Sequence, residues 1–344
     1  MKILLSILAT AILAISCGDE QNDNHEWPWD DPEKETPEVI EPIESAPINK
    51  WTDVSESYGT LSGVKIYRSP EKLQGKKAIA YIAVVDLEQT TWDIWSIADP
   101  EMDGTTEKLR TPSNVHSNGE FQVVMNAGFF YSADGKNYSS SLAVRNSEIL
   151  TYNINYASED WVTMYYPTRA ALLESVDGEF DACWTYKTWD AHYIYPAPSE
   201  NSWENKPVSQ PSSTFPKGGK PFAAYTAIGG GPLLINQGKF VDSYKFELFD
   251  GTSGIAPDSN QPRTAVGVTA DRKMILFVCE GREMTEGVMG LSTADVANIL
   301  MDLKCVEAIN LDGGGSSCML VNGKMTIKVS DGAQRAVGST IMIK

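Results

Sequence analysis

Short runs of β-branched and aromatic residues recur along the chain and predict a domain built mainly of strands. The clearest runs cover residues 78–87, 91–98, 121–130, 170–175 and 265–281. The last run is long enough for two strands and contains the turn-forming residues Ala270, Asp271 and Arg272, so we expect a hairpin there. Asn322-Gly323 is a two-residue turn signal and predicts another hairpin.

One segment has the period of a helix, because Val296, Leu300 and Leu303 recur at helical spacing. Ser292 precedes it, and Asp295 three residues later completes the pattern of a capping box. We therefore predict a helix over residues 293–303, followed by a short strand ending at Asp312. The elements together predict an α+β fold, with an extensive twisted, largely antiparallel sheet packed on a few helices.

The N-terminus has the pattern of a secretory signal. Lys2 precedes an apolar run over residues 3–15, which is shorter than a membrane span and typical of a signal peptide. Small residues lead up to Cys17, so the segment resembles a bacterial lipoprotein signal, with residues 1–16 removed and Cys17 lipidated. The alternative is an ordinary signal peptide cut near the same place. The lipoprotein interpretation places the protein in the bacterial cell envelope, anchored to the membrane through Cys17, on the periplasmic face or the outer surface.

Residues 17–50 have the composition of a disordered tether, and the folded domain is predicted to cover residues 51–344. Residues 18–50 contain five prolines and few apolar side chains. Residues 1–50 hold three of the 28 basic and eleven of the 46 acidic residues, so the predicted domain keeps a net charge of −10. This balance argues against a nucleic-acid partner.

The cysteines and histidines do not have the spacing of a zinc site. Cys183, Cys279, Cys305 and Cys318 follow the predicted tether, and the compartment permits disulfides in any of three pairings.

Four short segments carry the candidate chemistry. They are "NAGFF" at residues 126–130, "GGGPLL" at residues 229–234, "PRTAVG" leading to "CEGR" at residues 262–282, and "NLDGGGSS" at residues 310–317. Together these segments resemble the phosphodiester glycosidase family, which includes the mannose 6-phosphate uncovering enzyme of animals. The resemblance covers roughly residues 75–344 and is strongest in the "LDGGGSS" run.

The resemblance implies a hydrolase that cleaves a sugar-1-phosphodiester at the anomeric C–O bond and leaves the phosphate on the acceptor glycan. We expect Arg263 and Arg282 to stabilise the phosphate, since a guanidinium binds phosphate oxygens with two parallel hydrogen bonds. Asp312 and Glu280 are the candidates for the carboxylate that activates water or attacks the anomeric carbon. The expected substrate-binding residues are Asn126, Thr264, Asn310, Gly313, Gly314, Gly315, Ser316 and Ser317, with the backbone amides of residues 313–317 forming an anion nest.

We expect these groups to converge on one cleft. Glu280 and Arg282 are two residues apart and should share a strand face, with Arg263 on the partner strand of the hairpin. No cofactor is required by this chemistry, although Asp312, Glu280 and Asn126 also offer oxygen ligands suited to a divalent cation.

The same residues also allow other interpretations. Each arginine–carboxylate pair can be a structural ion pair, and Asn126 can simply cap a turn. For the whole protein, the alternatives are a surface lipoprotein that binds glycans without turnover and an envelope protein of exopolysaccharide assembly.

Overall fold

The computed structural model describes residues 46–98 and 108–344. The predicted signal peptide, Cys17 and most of the predicted tether lie outside these residues. Ala46 is buried, and its carbonyl accepts a 3.0 Å hydrogen bond from Trp51 Nε1. The packed chain therefore extends at least back to Ala46. No helix of the described ranges is both long and apolar enough to cross a membrane.

The secondary structure is dominated by strands. The strands are β1 (Thr52–Asp53), β2 (Val64–Arg68), β3 (Lys72–Leu73), β4 (Lys76–Lys77), β5 (Ala80–Asp86), β6 (Trp92–Ser96), β7 (Val123–Asn126), β8 (Phe130–Ala133), β9 (Lys136–Ser139), β10 (Ala143–Arg145), β11 (Glu148–Thr151), β12 (Arg169–Glu174), β13 (Phe180–Lys187), β14 (His192–Tyr195), β15 (Lys220–Pro221), β16 (Thr226–Gly229), β17 (Leu233–Asn236), β18 (Lys239–Phe240), β19 (Arg263–Thr269), β20 (Lys273–Cys279), β21 (Cys305–Asn310), β22 (Met319–Val321), β23 (Lys324–Met325) and β24 (Ser339–Ile343). The α-helices of the described chain are α1 (Pro112–Ser117) and α2 (Thr293–Asp302). Short 3-10 turns cover Ile48–Lys50, Ser55–Tyr58, Gly251–Ser253 and Gly314–Ser316.

Three larger sheets form the body of the domain. The first has the order β1-β2-β5-β20-β19-β21-β17-β18, the second β11-β10-β16-β12-β13-β14-β15, and the third β23-β22-β7-β24-β6. Two hairpins, β3-β4 and β8-β9, stand apart from them. The strand pairings in all five are antiparallel. The prediction of largely antiparallel sheet with few helices is therefore confirmed.

The inner strands β19 and β20 of the first sheet are buried on both faces. Along β19 and β20, side chains alternate between two cores, as the two-residue period of a strand requires. Val266 and Leu276 belong to the larger core, shared with the second and third sheets. Ala265 and Phe277 belong to the core on the opposite face, where α2 packs.

Helix α2 confirms the capping prediction. The Ser292 hydroxyl accepts from the Asp295 amide at 3.1 Å, and the Asp295 carboxylate accepts from the Ser292 amide at 2.7 Å. Val296, Ile299 and Leu300 are fully buried against the first sheet. The helix returns the chain to β21, which lies between β19 and β17 in that sheet.

The predicted hairpins are also present, and their register positions the candidate site. Residues 270–272 connect β19 and β20, with Arg263 opposite Cys279. Asn322 and Gly323 both have left-handed φ values, +46° and +76°, as a two-residue turn of type I′ requires. Strand β21 pairs with β19 so that Asn310 lies opposite Ala265. Asp312, two residues beyond Asn310, therefore arrives beside Arg263 and Thr264.

Candidate active site

The glycine loop after β21 is fixed by main-chain hydrogen bonds to two separate segments. The Leu311 amide donates to the Thr264 carbonyl at 2.8 Å, and the Asp312 amide donates to the Ala127 carbonyl at 2.9 Å. Asp312 therefore lies where "NLDGGGSS", "PRTAVG" and "NAGFF" meet. The chain then makes the 3-10 turn Gly314–Ser316.

At each of the three glycines of the loop, a Cβ atom would come too close to a neighbouring group. A Cβ on Gly313 would lie 2.8 Å from the Pro262 carbonyl oxygen. Gly314 has a φ of +58°, and a Cβ there would lie 2.8 Å from Nη2 of Arg282. A Cβ on Gly315 would overlap the Arg335 guanidinium and the Asp331 carboxylate. The missing side chains therefore let two arginines approach the backbone of the loop.

A cavity of about 130 Å³ opens at this loop. It is lined by Gly254, Ile255, Gln261, Arg263, Arg282, Leu311, Asp312, Gly313, Gly314, Gly315 and Arg335. A larger cavity of about 190 Å³ lies beside Trp92 and Glu174, but none of the predicted site residues lines it. We take the smaller cavity as the candidate active site, because it combines a carboxyl group with three guanidinium groups.

Asp312 has an unusual electrostatic environment. Burial raises the pKa of its carboxyl group to about 6, because removal from water disfavours the charged form. Hydrogen bonds from the Ser316 hydroxyl and the Gly313 amide, together with the charge of Arg335, act in the opposite direction. Asp312 is therefore mostly ionised at neutral pH, yet it is a stronger base than an ordinary aspartate. This is the range expected of a catalytic base.

Arg282 is exposed and points its guanidinium at the cavity. Its Nε donates to Gln261 Oε1 at 3.0 Å, and its Nη2 lies over Gly314. The backbone of Arg282 has a left-handed φ of +55°, a costly conformation for a residue with a side chain. The predicted placement of Arg282 beside the glycine loop thus agrees with the structure.

Arg335 is the second arginine of the cavity, and sequence reasoning missed it. Its Nη2 lies 2.6 Å from the Asp331 carboxylate, and its Nη1 lies 3.5 Å from Ser316 Oγ. The residue belongs to the segment between β23 and β24, which has no periodic pattern and no motif. Only its spacing of four residues from Asp331 is visible in the sequence, and such pairs are common on any surface.

Arg263 also contributes to the cavity wall, but its guanidinium is committed elsewhere. Nε donates to the Leu291 carbonyl at 2.9 Å, Nη1 to Ile255 at 2.9 Å, and Nη2 to Ala256 and Ser259 at 2.7 and 2.8 Å. Four of its five N–H groups therefore bind main-chain carbonyls. Burial lowers the pKa of Arg263 to about 10, and the residue stays charged. Its geometry fits an anchor for the loop of residues 255–259 better than a direct phosphate ligand.

The buried polar residues of the motifs support the loop from below. Asn126 donates to the Asp312 carbonyl at 2.6 Å and accepts from the Cys318 amide at 3.0 Å. The Thr264 hydroxyl lies 3.0 Å from Asn126 Oδ1 and 3.1 Å from Ser317 Oγ. Asn310 donates to the Gly231 carbonyl at 2.8 Å and so ties "GGGPLL" to the same strand. The cavity lining does not include Asn126, Thr264, Asn310 or Ser317.

The expectations for Glu280 and for the amide nest do not agree with the structure. Strand β20 ends at Cys279, and Arg282 is left-handed, so Glu280 and Arg282 do not share a strand face. The Glu280 carboxylate is buried and accepts from the Thr285 hydroxyl at 2.8 Å and the Lys328 amide at 3.0 Å. It does not line the cavity.

The amides of the glycine loop are largely used within the protein. Those of Gly314, Ser316 and Ser317 donate to the carbonyls of Pro262, Gly313 and Gly314, respectively. The phosphate nest predicted for residues 313–317 therefore lacks three of its donors, and the positive charge of the cavity comes from side chains.

The described residues contain no group of three or more His, Cys, Asp or Glu side chains arranged to hold a metal ion. Cys183, Cys279, Cys305 and Cys318 are all buried free thiols, so none of the three possible disulfide pairings is formed.

Comparison with known proteins decides the family. The family model described as phosphodiester glycosidase matches residues 119–344. The chain belongs to the phosphodiester glycosidase family. Mouse N-acetylglucosamine-1-phosphodiester alpha-N-acetylglucosaminidase is 39% identical over 107 residues, which are 31% of this chain and 20% of the mouse protein. A prophage-derived uncharacterized protein of Bacillus subtilis is 35% identical over 82 residues, which are 24% of this chain and 12% of that protein. These matches thus span a fifth or less of the relatives' own length.

Two solved structures share the fold. The zebrafish N-acetylglucosamine-1-phosphodiester alpha-N-acetylglucosaminidase catalytic domain, auto-inhibited by its pro-peptide, superposes with a TM-score of 0.55 at 19% identity, covering 86% of this chain and 90% of that chain. A hypothetical protein from Synechocystis superposes with a TM-score of 0.54 at 18% identity, covering 82% of this chain and 62% of that chain. At these identities the likeness concerns the fold.

Proposed function

We propose that this protein hydrolyses a sugar-1-phosphodiester at the anomeric C–O bond and leaves the phosphate on an acceptor glycan. The observation that carries the proposal is the single cavity in which Asp312, with a pKa of about 6, faces Arg282 and Arg335 across a loop of three glycines. Family membership supports a hydrolase of this general kind.

The charges of the cavity suit a phosphate leaving group. When the bond between the anomeric carbon and the phosphate oxygen breaks, the bonding electrons stay on that oxygen and a phosphate monoester departs. A phosphate monoester is a weak base, so it needs charge stabilisation more than protonation. Arg282 supplies an exposed guanidinium, and Arg335 a second one held in place by Asp331.

Asp312 is the carboxylate assigned to water activation. In the ionised form it takes a proton from water as the water oxygen bonds to the anomeric carbon. One displacement by water needs only one carboxylate, and Glu280 lies away from the cavity. We therefore assign a single displacement, which inverts the anomeric configuration. Proton NMR of the first-formed sugar distinguishes this from retention.

The cellular setting follows from the N-terminal sequence. Lipidation at Cys17 would hold the protein on the periplasmic face or outer surface of a bacterial envelope, where glycan phosphodiesters are accessible. In the proposed reaction, arginine side chains stabilise the negative charge of the phosphate, so no divalent cation is required. Unchanged turnover after treatment with EDTA is the expected result, and loss of turnover restored by Mg²⁺ or Ca²⁺ would contradict it.

The decisive experiment offers purified full-length protein a panel of glycosyl-1-phosphodiesters, with UDP-N-acetylglucosamine as one member. Free sugar should appear with the wild type and with Asp177→Asn, which alters an exposed carboxylate in the turn between β12 and β13. It should not appear with Asp312→Asn. If no diester of the panel releases sugar while glycan binding is retained, the non-catalytic glycan-binding interpretation replaces this one.

A further inference from the structure

Five of the six exposed large aromatic side chains in the described part of the chain lie at residues 131, 152–161 and 189, and the half-buried Tyr138 lies opposite Tyr131 in the β8–β9 hairpin. We call Tyr131, Tyr138, Tyr152, Tyr156, Trp161 and Trp189 the aromatic strip. Trp161 is 84% exposed and Trp189 is 99% exposed, while Tyr131, Tyr152 and Tyr156 each expose more than two fifths of their surface. Large aromatic rings open to water in one region point to a binding surface.

Hydrogen bonds connect the segments of the aromatic strip. The Ile154 amide donates to the Ser140 carbonyl at 3.0 Å, next to the hairpin that carries Tyr131 and Tyr138. Asn155 Nδ2 donates to the Lys187 carbonyl at 2.8 Å, at the turn that carries Trp189. Residues 152–156, with Tyr152 and Tyr156 at their ends, therefore run between the other two parts. Lys187 Nζ lies 5.7 Å from the centre of the Tyr152 ring and joins that end to the turn.

Local contacts order two parts of the strip, the Tyr131–Tyr138 pair and the loop backbone that carries Trp161. Tyr131 and Tyr138 stack across the β8–β9 hairpin, with ring centres 5.2 Å apart and planes inclined by 21°. Trp161 has a left-handed φ of +61° at the tip of a loop closed by the Ala157–Tyr165 bridge. Asp160 accepts from the amides of Val162 and Thr163 at 2.8 and 2.7 Å and stiffens that loop. Strained backbone conformations, such as the left-handed φ of this exposed tryptophan, occur frequently at functional sites.

Two links place the strip beside the cavity. Tyr131 is four residues from Ala127, so the Cα atoms of Tyr131 and Ala127 are at most about 14 Å apart. The carbonyl of Ala127 accepts a hydrogen bond from the Asp312 amide. Glu159, next to the Trp161 tip, accepts from Thr252 Oγ1 at 3.4 Å, and Gly254 and Ile255 of that same loop line the cavity. The segments that carry Tyr131 and Trp161 are therefore neighbours of the segments that form the cavity.

We propose that the aromatic strip binds an extended carbohydrate chain, which is the acceptor part of the substrate. Sugar rings present flat apolar C–H faces and polar edges, which match rigid Tyr and Trp rings surrounded by water. A chain of several sugars spans the separate rings, whereas a single sugar or a nucleotide cannot. This proposal rests on the proposed hydrolysis for its kinetic consequence, but binding of the chain is independent of turnover.

Binding is tested first, by affinity electrophoresis of the full-length protein in native gels that contain dextran, xylan or yeast mannan. Retardation by at least one polysaccharide is expected. Trp161→Ala and Tyr156→Ala should each weaken it about three- to tenfold, the size of a lost aromatic contact, while Trp161→Phe should preserve it. Val176→Ala is the control and should have no effect on migration. Val176 is an exposed apolar residue in the turn between β12 and β13, at the end of β13 away from Trp189. Unchanged thermal unfolding will show that the variants are folded.

Several outcomes would overturn the proposal. They are migration unaffected by all three polysaccharides, retardation that the Trp161 and Tyr156 substitutions leave unchanged, and binding of phospholipid vesicles through these residues in place of glycans. Kinetics then separate the two proposals. Trp161→Ala should raise KM for a polymeric phosphodiester and leave kcat/KM for UDP-N-acetylglucosamine unchanged. If neither substrate is hydrolysed but the gel result holds, the proposed reaction fails and the glycan-binding strip stands.

Discussion

The side-chain amide of Asn126 donates a 2.6 Å hydrogen bond to the main-chain carbonyl of Asp312. The same side chain accepts from the Cys318 amide on the far side of the glycine loop. One buried residue of "NAGFF" therefore holds both ends of the segment that carries the candidate catalytic carboxylate. Asn126 is therefore placed to position Asp312, although it does not line the cavity itself.

Asn126→Ala should lower both stability and turnover. The substitution leaves the Asp312 carbonyl and the Cys318 amide without their partner, at a cost of about 2–4 kcal/mol in the free energy of unfolding. Urea unfolding measures the stability, and kcat for a sugar-1-phosphodiester measures the displacement of Asp312. Asn236→Ala is the control, because Asn236 makes a similar 2.7 Å bond to the Ala182 carbonyl away from the cavity. A loss of kcat as large in the control would contradict the positioning role.

The pH dependence of kcat/KM should report Asp312. Its carboxyl group must be ionised to take a proton from water, so activity should fall as pH drops through about 6. The acid limb should lie at higher pH than the one produced by an ordinary aspartate near pH 4, because at pH 5 most of Asp312 is already protonated. A profile flat from pH 8 to pH 5 would rule out Asp312 as the base.

Ionisation of Asp312, which activity requires, should lower the free energy of unfolding. Its pKa is raised in the folded state, so folding is favoured by the protonated form and this contribution is lost as pH rises from about 4 through about 6. Asp312→Asn should therefore raise the free energy of unfolding at pH 7, by up to about 3 kcal/mol, while abolishing turnover. Thermal unfolding at pH 4 and pH 7 gives the comparison, and the gain should vanish at pH 4. A variant less stable than the wild type at pH 7 would contradict the assigned environment.

Arg282→Ala should reduce turnover and leave stability nearly unchanged. The side chain is exposed, and we expect about a 10²- to 10³-fold loss of kcat from the missing stabilisation of phosphate charge. Arg282→Lys should recover only part of the activity, since an ammonium does not form the two parallel hydrogen bonds of a guanidinium. Arg68→Ala, an exposed arginine on β2, serves as the control. Full activity of Arg282→Ala would remove Arg282 from the mechanism.

Arg263→Ala should lower stability more strongly than it lowers turnover. Removing the guanidinium leaves the carbonyls of Ile255, Ala256, Ser259 and Leu291 without their donor, so we expect about 3 kcal/mol of destabilisation. The loop of residues 255–259 should also become more sensitive to limited proteolysis. Wild-type stability combined with a large loss of kcat would instead indicate a direct phosphate contact, as the sequence first suggested.

Local patterns in the sequence predicted the elements whose causes are local. The turn at residues 270–272, the Asn322-Gly323 turn and the capping box of α2 depend on neighbours within a few residues, so each could be located before the structure. Runs of β-branched and aromatic residues predicted the strands for the same reason. The "LDGGGSS" run likewise indicated Asp312, because this run carries the strongest part of the resemblance to the phosphodiester glycosidase family.

The sequence by itself thus determined the antiparallel, strand-rich class, the family and the position of the glycine loop. The tertiary structure alone decided which charged groups face one another there. Arg335 reaches Gly315 from a loop 20 residues further along the chain, and no periodicity encodes that approach. Arg263 and Glu280 instead bind groups inside the protein, because buried charges must be satisfied by whichever donors and acceptors the folded chain brings within reach.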